Sequence, residues 1–427
     1  MLESKNMNID LKRNRFLRHR RLTAISRFCG LLVALLLWGA QPVWADVELA
    51  DAPLFTKVNP PPTNLMILQD DSGSMTYEIL VRGNYEGQFP NPDSAPTQGY
   101  CYVFDDMGEG YNYNDAYRYL GEEGRKYWRS QWHAVNALYY NPNAVYEPWP
   151  AYSKKSFLPA DTEKPPVHPL QSKTLDLDTK AFKVGKVTVP WAHYFVQSND
   201  GRYFLVIMDG DDQVNKYYTF TTDGGSDPLD KIITLTPVVD PPFDIYRDYD
   251  SDRQNFANWF TYHRRREFVA KAAIARVMTD PDLTDVRMGL LGINNKVIVP
   301  LKPVRAVISG EFKDETDALV ENLYAYVSRG GTPLKQGLQK VGEYYQTNDG
   351  SLEGVKGAPP YPAEGGACQQ SFTLVVTDGY YSDQDHTFKG NTDGSGSDPY
   401  GEWGGGSEPF SDNFKDTLAD TALYFYA

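Results

Sequence analysis

The sequence predicts an α/β protein in which a doubly wound, mostly parallel sheet is interrupted by a large β-rich insertion. Three observations carry this reading. Short apolar runs at residues 65–68, 288–293, 297–301 and 372–377 alternate with segments of helical apolar spacing. Strands that are apolar on both sides are the ones buried between two helix layers, as in parallel sheets. Two of these runs, far apart in the chain, lead into aspartates, Asp70 and Asp378. Ligands of open α/β sheets bind beyond the carboxyl ends of the strands.

Four helices follow from spacing. The first covers about residues 253–278, capped by Ser251 or Asp252, with Tyr262, Val269, Ala273 and Val277 on one side. The second covers about 313–328, with Leu319, Leu323 and Val327 four apart, and stops at Gly330-Gly331. Pro333 opens the third, as proline favours a first helical position, and Leu334, Leu338, Val341 and Tyr345 mark its apolar stripe. The last covers 413–426, with Phe414, Leu418, Ala422 and Phe425. Residues 79–250 break the alternation. They are rich in Tyr, Pro, Asn and Asp and hold β-like runs at 186–189, 203–208, 217–222 and 232–239. These aromatics read as a small core rather than as a sugar- or partner-binding face.

The junction after the first strand is Asp70-Asp71-Ser72-Gly73-Ser74-Met75. Asp70, Ser72 and Ser74 place three oxygens at alternate positions, and hard divalent cations prefer oxygen ligands. The spacing is the D-x-S-x-S pattern of a metal-ion-dependent adhesion site, which belongs to the von Willebrand factor A fold. A further oxygen is available from Thr332 in Gly330-Gly331-Thr332-Pro333, a residue that also suits a helix N-cap. The same letters recur in Asp393-Gly394-Ser395-Gly396-Ser397 with no strand before them, and that copy reads as a flexible loop.

Residues 1–45 have the form of a signal peptide. Lys12, Arg13, Arg15, Arg18, Arg20, Arg21 and Arg27 precede an apolar stretch at 28–40, and Ala45 ends a peptidase-like site. The stretch is short for a bilayer span, so cleavage is favoured over an anchor. A mean hydropathy of −0.51 excludes a multi-span membrane protein. Removing the eight basic and two acidic side chains of this segment from totals of 42 and 56 leaves 34 and 54, a net charge of −20. Such a surface repels nucleic acid and anionic lipid. Arg264-Arg265-Arg266 is the one remaining basic run and reads as a solvated helical turn. Cleavage leaves Cys101 and Cys368, which suggest a disulfide in an exported chain, with two buried thiols as the alternative. No His-Glu-x-x-His or post-strand Gly-x-Ser-x-Gly is present, so a non-enzyme is expected. Asp248, Asp250 and Asp252 start like a calcium-binding helix–loop–helix, but Arg253 and Trp259 stand where Gly and Glu are needed.

Taken together, the motifs resemble the PilY-type family of type IV pilus tip-associated adhesins and biogenesis factors. The resemblance rests on residues 68–75, on Leu138-Tyr139-Tyr140-Asn141-Pro142 and on Gly331-Thr332-Pro333-Leu334. It continues in Cys368-Gln369-Gln370-Ser371-Phe372, Thr377-Asp378-Gly379-Tyr380 and Asp416-Thr417-Leu418-Ala419-Asp420. It implies a von Willebrand factor A-like domain at 60–78 and 251–427, interrupted by the 79–250 insertion. It also implies Mg²⁺ (or Mn²⁺ or Ca²⁺) held directly by Ser72, Ser74 and Thr332, and through water by Asp70 and Asp378. The function implied is metal-dependent adhesion by an exported, pilus-associated protein, from periplasm to cell surface, with a structural assembly or anti-retraction role as the alternative. Partners would be minor pilins or an acidic group on a host or abiotic surface, with no nucleic acid and no membrane span after cleavage. Family members continue into a C-terminal β-propeller, so the resemblance implies a fragment or a truncated reading frame. Because an A-type fold places another strand after the last helix, the A-like domain is expected to be incomplete at its C-terminal end.

Overall fold

The computed structural model describes residues 61–83, 87–93, 98–105, 118–239, 248–361, 369–379, 381–392 and 413–426. The signal-like segment, Cys368 and the second Asp-x-Ser-x-Ser copy lie outside them.

The central sheet has four strands in the order β14-β1-β8-β9. β1 (Thr63–Gln69) runs parallel to both β14 (Ser371–Val376) and β8 (Val286–Gly292), whereas β9 (Ile298–Val304) returns antiparallel to β8 through a tight turn. Gln69 pairs with Val376 on one side and Gly292 on the other, so the three parallel strands end level. Residues just beyond them share one rim. Two small hairpins, β10–β11 (Ala306–Ile308, Glu311–Lys313) and β12–β13 (Ser351–Leu352, Val355–Lys356), decorate the connections.

Both faces of β1, β8 and β9 are covered, as expected from their continuous apolar runs. The edge strand β14 departs from that expectation, since its Phe372, Leu374 and Val375 are exposed. Met66 and Leu68 join Leu291, Ile293 and Leu301 under α4 (Leu334–Thr347), which contributes Leu334, Val341 and Tyr344. Ile67, Met288 and Leu290 face α2 (Arg266–Thr279) and α3 (Thr316–Ala325), through Phe268, Ala272, Met278, Leu319 and Leu323. Alternate residues of one strand thus serve opposite layers. Gly337 is required where α4 meets the sheet, because a Cβ there would stand 2.9 Å from Ile293 and 3.1 Å from Leu68.

Three helix expectations are corrected. The segment 253–278 is two helices, α1 (Tyr249–Tyr262) and α2, separated at His263–Arg265. The break re-phases the second half: Val269, Ala273 and Val277 face outward, while Phe268, Ala272, Ala275 and Met278 face the sheet. Lys271 and Glu267 also lie inside that face, with Lys271 Nζ 2.6 Å from the Tyr326 carbonyl, and they mask its apolar stripe. The helix cap is Asp248, whose carboxylate accepts from Ser251 N–H. The last helix, α5 (Leu418–Tyr426), begins five residues later than 413. Thr417 and Asp420 exchange side chain-to-backbone hydrogen bonds across its first turn, a reciprocal capping box. The second helix is shorter than 313–328, as Asp314 accepts from Thr316 N–H and Lys313 belongs to β11.

Within the insertion, β4 (His193–Gln197), β5 (Tyr203–Asp209), β6 (Val214–Thr222) and β7 (Ile232–Val238) form an antiparallel meander. It is preceded by the hairpin β2 (Lys180–Val184) and β3 (Val187–Pro190). Its aromatics are mostly interior: Phe104, Trp128, Tyr139, Tyr140, Phe195 and Phe204 pack with Phe256, Trp259 and Phe260 of α1. Ala257 and Tyr262 of the same helix pack into the sheet's core. Trp149 crosses from the insertion to stack on Tyr324 of α3 at 4.6 Å. Asp252 is buried within α1 and accepts from the Tyr140 and Tyr194 hydroxyls at 2.5 and 2.6 Å. The Asp248–Asp252 series is therefore a helix start and not a calcium loop. The described residues fall within one compact unit.

Candidate metal centre

β1 opens directly into the motif loop, where Gly73–Thr76 make a short 3-10 turn. Asp70 Oδ1 accepts from Ser72 N–H at 2.9 Å and Oδ2 accepts from the Thr377 hydroxyl at 2.7 Å. This second bond ties the end of β1 to the end of β14. The Ser72 and Ser74 hydroxyl oxygens lie 3.1 Å apart. One shared proton between them leaves further lone pairs on both atoms. Gly73 N–H donates to the Gly330 carbonyl at 3.0 Å, which brings the Gly330-Gly331-Thr332 loop against the motif loop. Thr332 is buried, and its backbone exchanges two hydrogen bonds with Ser382, at 2.7 Å to the hydroxyl and 2.9 Å from Ser382 N–H. The cap position of α4 is Pro333, and Gln336 N–H in its first turn donates to Asp383 instead.

The neighbouring Asp71 has a different task. Its carboxylate accepts from Asn294 N–H, the Asn294 side chain and Lys296 N–H, and its carbonyl accepts from Arg329 N–H at 2.7 Å. It thereby locks the β8–β9 turn and the loop before Thr332 to the motif loop. Gly292 is needed opposite, since a Cβ there would overlap the Asp71 carboxylate.

Asp378 lies at the same rim with its side chain 3 % exposed, and Arg266 Nη1 donates to its Oδ2 at 2.5 Å. Among the described residues nothing donates to Asp378 Oδ1, although it is buried. Burial pushes the Asp70 carboxyl above its ordinary value; hydrogen bonds from Ser72 and Thr377 oppose this, and repulsion from Asp378 adds to it. Burial likewise raises Asp71, against the bonds from Asn294 and Lys296. Two mutually repelling carboxylates, a hydroxyl pair and an open carboxylate oxygen are a donor set that suits a hard dication. Among the described residues there is no group of three His, Cys, Asp or Glu side chains placed to hold a metal. The set here relies on hydroxyls.

The three sequence segments carrying Asp70, Ser72, Ser74, Thr332 and Asp378 therefore meet at one rim. Asp71, Thr377, Ser382 and Arg266 were not anticipated. Asp71 is visible in the sequence only as the second letter of a doublet. Arg266 belongs to the run expected to be solvated, and that expectation is corrected. Arg264, Arg265 and Arg266 are buried, Arg264 Nε donates to Glu78 Oε1 at 2.9 Å, and Arg266 takes Asp378. A helix break between two packed layers turns all three inward, where acidic partners compensate them.

No family model and no solved structure matches the chain. It is similar to the type IV pilus biogenesis factor PilY1 of Pseudomonas aeruginosa strain PAO1, 28% identical over 187 residues, 41% of this chain and 16% of the relative. Against the PilY1 of strain PAK it is 27% identical over 190 residues, 42% of this chain and again 16% of the relative. The matched stretch thus spans about a sixth of the length of these curated relatives. Among the described residues no helix is long and apolar enough to cross a membrane. Over that stretch the chain is similar to these type IV pilus biogenesis factors.

Proposed function

We propose that the chain is a von Willebrand factor A-like, metal-dependent adhesive module of a type IV pilus system. The observation that carries this reading is the meeting of three sequence-distant loops, 70–75, 330–332 and 377–379, at the level ends of β1 and β14. The similarity to PilY1 supplies the pilus context. Ser72, Ser74 and Thr332 would hold Mg²⁺ or a similar dication directly, and Asp70 and Asp378 would hold it through water. The cation would supply an open coordination position that an acidic side chain of a partner can fill. Asp71 and Ser382 keep the loops in register, and burial of the rim strengthens every charge interaction there.

Cation binding to the native state alone stabilises by about 2.7 kcal/mol when the ion is a hundredfold above its Kd. The full chain is expected to melt higher in Mg²⁺ than in EDTA, and Ser72→Ala combined with Thr332→Ala removes the difference. An identical melting curve for the parent in the two buffers defeats the metal reading. PilY1 is named a biogenesis factor, which favours a second reading, a structural assembly or anti-retraction role. Asp378→Ala separates them. The adhesive reading expects fewer attached cells per pilus, whereas the assembly reading expects fewer pili with unchanged attachment per pilus.

A further inference from the structure

Arg266 is the first residue of α2 and reaches three parts of the site at once. Its N–H donates to the Tyr77 carbonyl at 3.2 Å, Nη2 donates to the Ile79 carbonyl at 2.8 Å, and Nη1 donates to Asp378 Oδ2. Its guanidinium also lies 5.1 Å over the Tyr77 ring. Tyr77 and Ile79 directly follow the motif loop, so one side chain links that loop to Asp378. The pair is buried on both sides, at 4 % and 3 % side-chain exposure, and salt screens a buried pair little. The planar fork suits such simultaneous contacts, which a lysine ammonium cannot reproduce.

We propose that Arg266 is the resident counter-ion of the metal centre: it holds one oxygen of Asp378 and its positive charge weakens the grip on a divalent cation. The inference rests on the cation reading above. With Oδ2 on the guanidinium, only Oδ1 of Asp378 stays open toward a metal-bound water. The net charge offered to the cation is reduced by one, and binding becomes readily reversible. A purely structural ion pair makes the opposite prediction, because loosening the loops should weaken binding.

The test is calorimetric titration of the full chain with Mg²⁺ and Mn²⁺. Arg266→Gln is expected to bind about tenfold tighter, the order by which one neighbouring charge moves an ionic equilibrium. Arg266→Lys should return affinity toward the parent value. Asp378→Asn should bind more weakly, and Arg266→Gln with Asp378→Asn should lie near the parent because the two charges leave together. Equal or weaker binding by an Arg266→Gln protein with parental near-UV circular dichroism overturns the proposal. If that variant does not fold, the charge-neutral double variant carries the test: it must bind tighter than Asp378→Asn alone, and failure to do so overturns the proposal. A parent that binds neither ion defeats both this inference and the cation reading, whereas a binding parent with unchanged variants defeats only the role of Arg266.

Discussion

Asp70 and Asp71 are adjacent, buried and chemically identical, yet their partners divide them. Asp71 is spent on two backbone N–H groups and an amide of the β8–β9 turn, whereas Asp70 bridges to Thr377 and sits beside Asp378. The raised Asp70 carboxyl gives a pH prediction. The native state holds that proton more tightly than the unfolded chain. The resulting stabilisation is complete below the unfolded value, near 3.9, and is lost as pH rises through the higher folded value. At neutral pH without a cation the buried charge destabilises. Asp70→Asn should therefore raise the melting temperature in EDTA at pH 7, with the gain shrinking toward pH 4, and should abolish the Mg²⁺ response. Thermal melts across that range check it, and a lower melting temperature for the variant at pH 7 in EDTA refutes it. The D-x-S-x-S spacing was legible because it is local. The partners Thr377 and Ser382 were not, since only pairing of β14 with β1 and the crossing loop bring them near.

At the scale of elements, the strands were the most legible part of the chain. An apolar run needs no partner to be recognised, and the observed strands differ from the expected runs by a few residues at their ends. The helix spanning the arginine run failed for a definite reason. Apolar spacing continues smoothly past Tyr262, but the backbone stops there to bury Arg264 and Arg265 against Glu78. Glu78 also accepts from Val103 and Phe104 N–H groups, at 3.0 and 2.9 Å. Removing it leaves two buried guanidinium groups and two N–H groups poorly compensated. Glu78→Ala should cost about 3–5 kcal/mol, the range for breaking a buried ion pair by deleting one partner. Urea denaturation of parent and variant measures the difference, and a loss under about 1 kcal/mol, typical of an exposed pair, would show that the cluster is solvated after all.

For the whole molecule, α1 makes the insertion and the sheet energetically dependent on each other. Trp259 and Phe260 sit in the insertion's core while Ala257 and Tyr262 sit in the sheet's. Arg253 ties the same helix to Asp178, Thr162 and Met208. Residues 79–250 should therefore not melt separately from the sheet. Trp259→Ala, costing about 3–5 kcal/mol, should lower the far-UV and near-UV transitions of the full chain together. Two separated transitions would show that the insertion folds on its own.

The sequence by itself determined what depends on near neighbours. That includes the apolar strands, the oxygen-rich turn after β1, the glycines before Thr332, and a chain acidic enough to repel polyanions. Tertiary structure decided what depends on partners distant in the chain. Burial put Asp71 to structural use, the helix break turned three arginines inward, and the level ends of β1, β8 and β14 set Asp70 beside Asp378 with Arg266 against it. Local propensity is written in spacing, whereas the neutralisation of a buried charge depends on which distant group folding brings within a few ångströms.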